Sequence, residues 1–256
     1  MADRMNPVSA FVRGIGTGAW LTARALRGVW APLWTGDPLV EAGMTDSLAR
    51  FTWGPLPTLS VLAALTGVIA GVSVGRLLQS YDAPLLILGA LDTVLLREVL
   101  PLIVGVFASG SVSVELSSRL GAMSLAREID AIEAMGHDPV PRVLGPPIIA
   151  VLVASPVHML AVAAAALAGT MVPVHLAAHV AYRDMAAIAV SAASGHALLI
   201  GMAKALLFAC LAFGVGATIG AAPVRVPTGI GRNAGRAFVT GLLAIFVAAA
   251  LWSALS

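Results

Sequence analysis

The sequence predicts an all-α polytopic membrane protein, with an interfacial amphipathic helix at its N-terminus, five transmembrane helices and one short cytoplasmic helix. Two observations carry this. Of the 256 residues 59% are apolar and 11% charged, and the mean hydropathy is +0.95. An ordinary soluble domain is about 45–50% apolar and about 25% charged, so a water-soluble fold of this length could not hide so much apolar surface. The second observation is the spacing of the charges, which leaves five stretches near the roughly 20 apolar residues that cross a hydrocarbon core. The same composition excludes a disordered chain, a collagenous repeat and a nucleic-acid binder, since the net charge is only +2 and the 15 basic residues are scattered. Cys210 is the single cysteine, so neither a disulfide framework nor a cysteine metal site is expected, and no cofactor is called for.

Residues 1–50 form an N-terminal unit, an interfacial helix and its linker. At 100° per residue Val8, Phe11, Val12, Ile15, Ala19, Leu26, Val29, Trp30 and Leu33 share one face, with Arg13, Arg24 and Arg27 opposite. A broad apolar stripe facing arginines is the pattern of a helix half sunk among head groups. The first 30 residues contain no continuous apolar run, so no signal peptide is expected.

The unit at 51–256 holds the spans, expected at about 54–78, 84–111, 145–172, 190–221 and 237–255. No charge occurs between Arg50 and Arg76, and none from Val143 to Tyr182. Pro173 and His175 are expected to open a loop after the third span. Gly67, Gly71 and Gly75 recur every four residues and give a smooth face for close helix approach, more simply within the subunit than at a dimer seam. Ser109, Ser113 and Ser117 make a similar row. Eleven basic residues fall in the N-terminal segment and the loops after spans two and four, while only Arg76 and Arg183 fall in the other loops. The N-terminus is therefore expected in the cytoplasm and the C-terminus outside.

The longest cytoplasmic connection, about 112–142, carries Leu125, Ile129, Ile132 and Met135 at helical spacing, with Arg127, Asp130 and Glu133 as a charged face. Ser124 can cap a helix over about 124–135, and Gly136 followed by Asp138-Pro139 stops it. Such a lever, with apolar teeth and charges to fix register, suits a transporter driven by a separate motor. It equally suits a loop helix packed on its own bundle.

These motifs resemble those of the MlaE/YrbE family, the permease subunits of MCE-associated lipid ABC transporters. The resemblance rests on Leu96-Arg97-Glu98-Val99-Leu100-Pro101, Leu120-Gly121-Ala122-Met123, Glu128-Ile129-Asp130-Ala131-Ile132, Met135-Gly136-His137-Asp138-Pro139 and Pro227-Thr228-Gly229-Ile230-Gly231. It covers about 51–256. It implies a dimer with a second permease copy, a cytosolic ABC ATPase seated on the coupling helix (Leu125, Glu128, Ile129, Asp130, Ile132, Met135, Gly136) and an MCE-domain periplasmic protein. Phospholipid moved between a bacterial inner membrane and that partner would serve outer-membrane lipid asymmetry. Arg97, Glu98, Lys204 and Tyr81 match positions near the family's lipid pocket. Ser111 and Arg119 stand where the family has an arginine and a glutamate, and the glutamine after Glu128 is absent, which marks a divergent branch.

Charges within spans cost about 2.5–3.5 kcal/mol each on insertion scales and seek partners or a wet cavity. Adjacent Arg97 and Glu98 point about 100° apart, so at least one needs a partner elsewhere, and Glu98 with Lys204 is a candidate pair. The trio reads either as a polar floor for an anionic head group or as a structural ion pair between helices. His175 and His179 lie four apart with only Asp184 as a third ligand, and are read as a solvated loop pair. Ser155 with His158, and Ser194 with His196, lack the acid and oxyanion donors of a nucleophile, so no catalytic site is expected. The sequence has no glycine-rich phosphate loop ending in Lys and Ser/Thr, so ATP hydrolysis belongs to another subunit. The competing function is an ion-coupled secondary transporter or channel that relays charge through Asp92, Glu98 and Lys204.

Overall fold

The computed structural model describes residues 14, 16–28, 38–78, 84–194 and 196–255. Tyr81 and most of the expected N-terminal apolar stripe lie outside them. In lipid every backbone polar group must be satisfied within the chain, and the described residues contain helices and no strand. Among the described residues five helices are long and apolar enough to span: Gly43–Arg76, Leu86–Leu125, Pro139–Ala178, His196–Gly220 and Thr228–Leu255.

In chain order the helices are α1 (16–28), α2 (Pro38–Leu48), α3 (Leu56–Leu78), α4 (Pro84–Val94), α5 (Leu100–Ala108), α6 (Val114–Leu125), α7 (Glu128–Ala134), α8 (Pro139–Ala178), α9 (Tyr182–Ser194), α10 (His196–Gly220) and α11 (Thr228–Leu255). Wide π-type turns at Ala49–Trp53, Leu95–Val99 and Ser109–Ser113 join α2 to α3, α4 to α5 and α5 to α6. The first two spans are therefore composite rods. Among the described residues three apolar clusters fill the bundle: a first core with Leu116, Ile148, Phe208, Phe213 and Ile245, a second with Leu59, Leu96, Leu100, Met159 and Val162, and a small one of Leu88, Val174 and Met185. Outward positions such as Ile69, Leu199 and Leu243 are exposed and apolar, as a lipid-facing surface requires.

Small residues set the helix contacts. Gly67 lies against the Ala166 backbone, Gly71 against Thr170 and Pro173, and Gly75 against Ala177. The glycine face is thus consumed within the subunit, between α3 and α8. The serine row is buried too: Ser109 Oγ donates to the Phe238 carbonyl at 2.9 Å, Ser113 Oγ to that of Ala212 at 2.7 Å, and Gly220 packs on Ser117. Because a Cβ at Gly67 would collide with the Ala166 carbonyl, Gly67→Leu is expected to lower stability by about 3 kcal/mol. Unfolding in detergent measures it, and an unchanged midpoint would place the α3–α8 contact elsewhere.

Three expectations are corrected. The third span does not open at Pro173: α8 runs on to Ala178 and ends at a left-handed His179. Proline is tolerated inside a membrane helix where neighbours re-satisfy the freed groups, and here its ring seats against Gly71. The connection expected over 112–142 shrinks to about 126–138, because α6 continues to Leu125 and α8 starts at Pro139. Finally, Ser124 does not cap the short helix. It belongs to α6, where its Oγ accepts from the Val224 N–H at 3.3 Å. The chain breaks at Arg127, which is left-handed (φ 56), and α7 covers only Glu128–Ala134.

Candidate functional site: an ion pair between spans two and four

Pro101 is where this site begins. It has no N–H for the i−4 carbonyl, that of Arg97, and its ring would crowd that carbonyl in a regular helix. The preceding turn widens over Leu95–Val99, and the Leu100 N–H bonds to the Leu95 carbonyl, five residues back. Such widened turns often sit at functional positions. Here the turn holds both Arg97 and Glu98. It also turns the Leu96 carbonyl towards Gly201 of α10, where a Cβ would collide with it and would lie 2.8 Å from Met159 Cε. Backbone contact at Gly201 brings α10 in, and Lys204, three residues on, reaches Glu98.

Lys204 Nζ donates to Glu98 Oε1 at 2.5 Å, with the lysine 2% and the glutamate 40% exposed at their side chains. Ser253 Oγ donates to Glu98 Oε2 at 2.8 Å, and the Trp252 ring centroid lies 5.9 Å from Lys204 Nζ. The last turn of α11 thus closes over the pair. Since α11 ends at Leu255, the site sits towards that end of the bundle rather than at its middle. Arg97 Nε is buried and has no hydrogen-bond partner among the described residues. Asp92, 2% exposed, likewise leaves Oδ1 unpartnered. A cation pinned by one carboxylate, beside a guanidinium with a free donor, can accept an anionic oxygen.

Sequence reasoning brought Arg97, Glu98 and Lys204 together and missed Trp252, Ser253 and Gly201. A tryptophan at the end of a span is the one signal that could have flagged the α11 cap. Gly201→Val is expected to cost about 2 kcal/mol by pushing α10 off the Leu96 turn. That cost should shrink when Glu98 is already alanine, as coupled residues are non-additive; an equal cost in both backgrounds would disconnect Gly201 from the pair.

The other candidates do not assemble. His175 Nδ1 lies 2.8 Å from the Val180 carbonyl and its ring stacks on Tyr182 at 4.3 Å. No group of three His, Cys, Asp or Glu that could hold a metal occurs among the described residues. His158 Nε2 lies 3.0 Å from the Thr52 carbonyl, and Ser155 Oγ is buried without a partner among the described residues.

At the opposite end α7 contains no fully buried residue. Glu128, Asp130 and Met135 are exposed, while Ile129 and Ile132 are half-buried, Ile132 against the first core. Leu125 lies on α6 and Gly136 (φ +78) forms the exit turn. The Arg24–Asp138 ion pair at 2.8 Å ties α1 to the start of α8, and Arg50 bridges Asp46 at 2.9 Å and Glu115 at 3.3 Å.

Comparison with known proteins gives this geometry a family. A probable ABC transporter permease protein of Synechocystis sp. is 27% identical over 192 residues, covering 73% of this chain and 71% of that protein. The family model described as Permease MlaE matches residues 44–255, which include all five spans but for the first residue of the first and contain the ion pair and α7. The chain belongs to the MlaE permease family.

Proposed function

We propose that this ABC transporter permease carries phospholipid, as one of two identical membrane halves driven by a separate cytosolic ATPase. The observation that carries the lipid reading is Arg97, whose Nε is buried beside the Glu98–Lys204 pair with no acceptor among the described residues. A head-group phosphate would accept from Arg97 and compete with Glu98 for Lys204, while acyl chains follow the apolar walls. Tyr81 is assigned to the same pocket by the resemblance alone. In this reading α7 and its flanks receive the ATPase in the cytoplasm, the C-terminus faces the periplasm of a bacterial inner membrane, and an MCE-domain protein continues the path there. The chain itself hydrolyses nothing, and its traffic would maintain outer-membrane lipid asymmetry.

The test is co-expression with the candidate ATPase, followed by ATP turnover and mass spectrometry of bound lipid. The wild-type complex is expected to retain phospholipid, and Arg97→Ala to lose most of it while still binding the ATPase. Equal lipid retention in the variant would overturn the head-group assignment. A second reading, an ion-coupled transporter, draws on buried Asp92 and its unpartnered Oδ1. It predicts gradient-driven flux in liposomes that ignores ATP.

A further inference from the structure

Helix α1 does more than lie on the bundle. Gly18 meets α10 at Gly214, so closely that a Cβ on Gly18 would stand 2.7 Å from the Gly214 carbonyl oxygen. Leu21 and Ala25 are buried behind that contact. Beside it the two helices diverge and leave a groove of about 300 Å³, lined by Ala19, Thr22, Ala23 and Leu26 on α1 and by α10 from Leu207 to Val215. The lining is almost wholly apolar. Along α10 it covers eight residue steps, about 12 Å at 1.5 Å per residue.

We propose that this groove binds one acyl chain of an anionic glycerophospholipid from the leaflet on the α7 side, with the lipid phosphate at Arg27. Two observations choose that occupant over a second protein helix. The α1 floor presents small residues, Ala19, Thr22 and Ala23, which shape a slot rather than a socket for bulky side chains. Arg27 lies one turn beyond Ala23 on the same face, is exposed, and has no ion-pair partner among the described residues, whereas Arg24 is committed to Asp138 and Trp20. A guanidinium next to an apolar slot matches the polar-to-apolar sequence of a phospholipid. The site is separate from the Glu98–Lys204 pair and does not depend on the function proposed for it. Its consequence is mechanical: an occupied groove would hold α1 against the fourth span.

The full chain is reconstituted in vesicles of phosphatidylcholine and phosphatidylglycerol, doped with phosphatidylglycerol bearing a photoreactive acyl chain. Cross-links are expected in the 19–26 and 207–215 peptides several-fold above those in 61–72, the exposed apolar face of α3. Ala23→Trp, which fills the slot from an exposed position, and Arg27→Glu should each reduce the groove cross-links at least fivefold and leave the α3 signal unchanged. Cross-linking equal to that of α3 would mean ordinary lipid solvation and would overturn the proposal, as would indifference to Arg27→Glu. Cys210 lines the same groove, so an oxidant-induced Cys210–Cys210 dimer would show that a second copy sits there instead. Absence of that dimer, with the variant pattern intact, sustains the lipid.

Discussion

Glu98→Ala is expected to destabilise the bundle by about 3 kcal/mol and to abolish transport, whereas Glu98→Gln with Lys204→Met should restore most of the stability and none of the transport. The asymmetry follows from where the charges lie. Lys204 is 2% exposed and is held by Glu98, so removing the carboxylate strands an ammonium in an apolar bundle. Breaking a buried pair from one side costs about 3–5 kcal/mol, and the partial exposure of Glu98 puts this pair at the low end, while exchanging both partners for uncharged groups of similar size is often neutral. Ser253 and Trp252 cannot substitute, since a hydroxyl and a ring face offer dipoles and no countercharge. Unfolding in detergent separates the two variants, and lipid transfer in the reconstituted complex reads the function. Full transport by the double variant would reduce the trio to a structural pair, the alternative that the sequence left open.

That alternative stayed open for a physical reason. Insertion cost says that an intramembrane charge needs a partner, and it led from Glu98 to Lys204 across 106 residues. It does not say what else the partners touch. The Ser253 contact depends on how far α11 slides along α5, which no local pattern encodes. The same division runs through the fold. Hydropathy marks the five spans because bilayer thickness acts on each segment independently, and the Gly67, Gly71, Gly75 repeat is legible because small residues at one spacing have one packing use. The ends are less legible. Ser124, read as a cap from its neighbours, is drawn into α6 by a backbone donor 100 residues away at Val224. Pro173, read as a stop, is carried inside α8, where Gly71 makes room for its ring. The widened turn at Leu95–Val99 could have been read from Pro101, although its effect on the Leu96 carbonyl appears only once Gly201 is beside it.

The second large effect is expected at the other end. Glu128→Ala with Asp130→Ala, or Met135→Asp alone, should reduce transport-coupled ATP turnover more than tenfold and shift the unfolding midpoint little. Stability is indifferent because α7 buries no residue, and these three side chains are exposed; surface changes away from packed features cost about 0.5 kcal/mol or less. Function is not indifferent if a motor must grip this segment. A seven-residue helix is too short to hold its shape by propensity, so its geometry comes from its ends, the left-handed Arg127 and Gly136, and from Ile132 resting on the core. Those anchors make it a stiff projection whose displacement would pass into α6 and α8, the helices that continue the second and third spans. Ile132→Ser therefore provides the contrast: it should loosen α7 and weaken coupling while leaving every exposed contact residue in place. Pull-down of the ATPase by each variant divides the outcomes. Lost binding in the charge variants and retained binding with poor coupling in Ile132→Ser would make α7 a docking site and a lever; unchanged turnover in all of them would leave it a loop helix serving its own bundle.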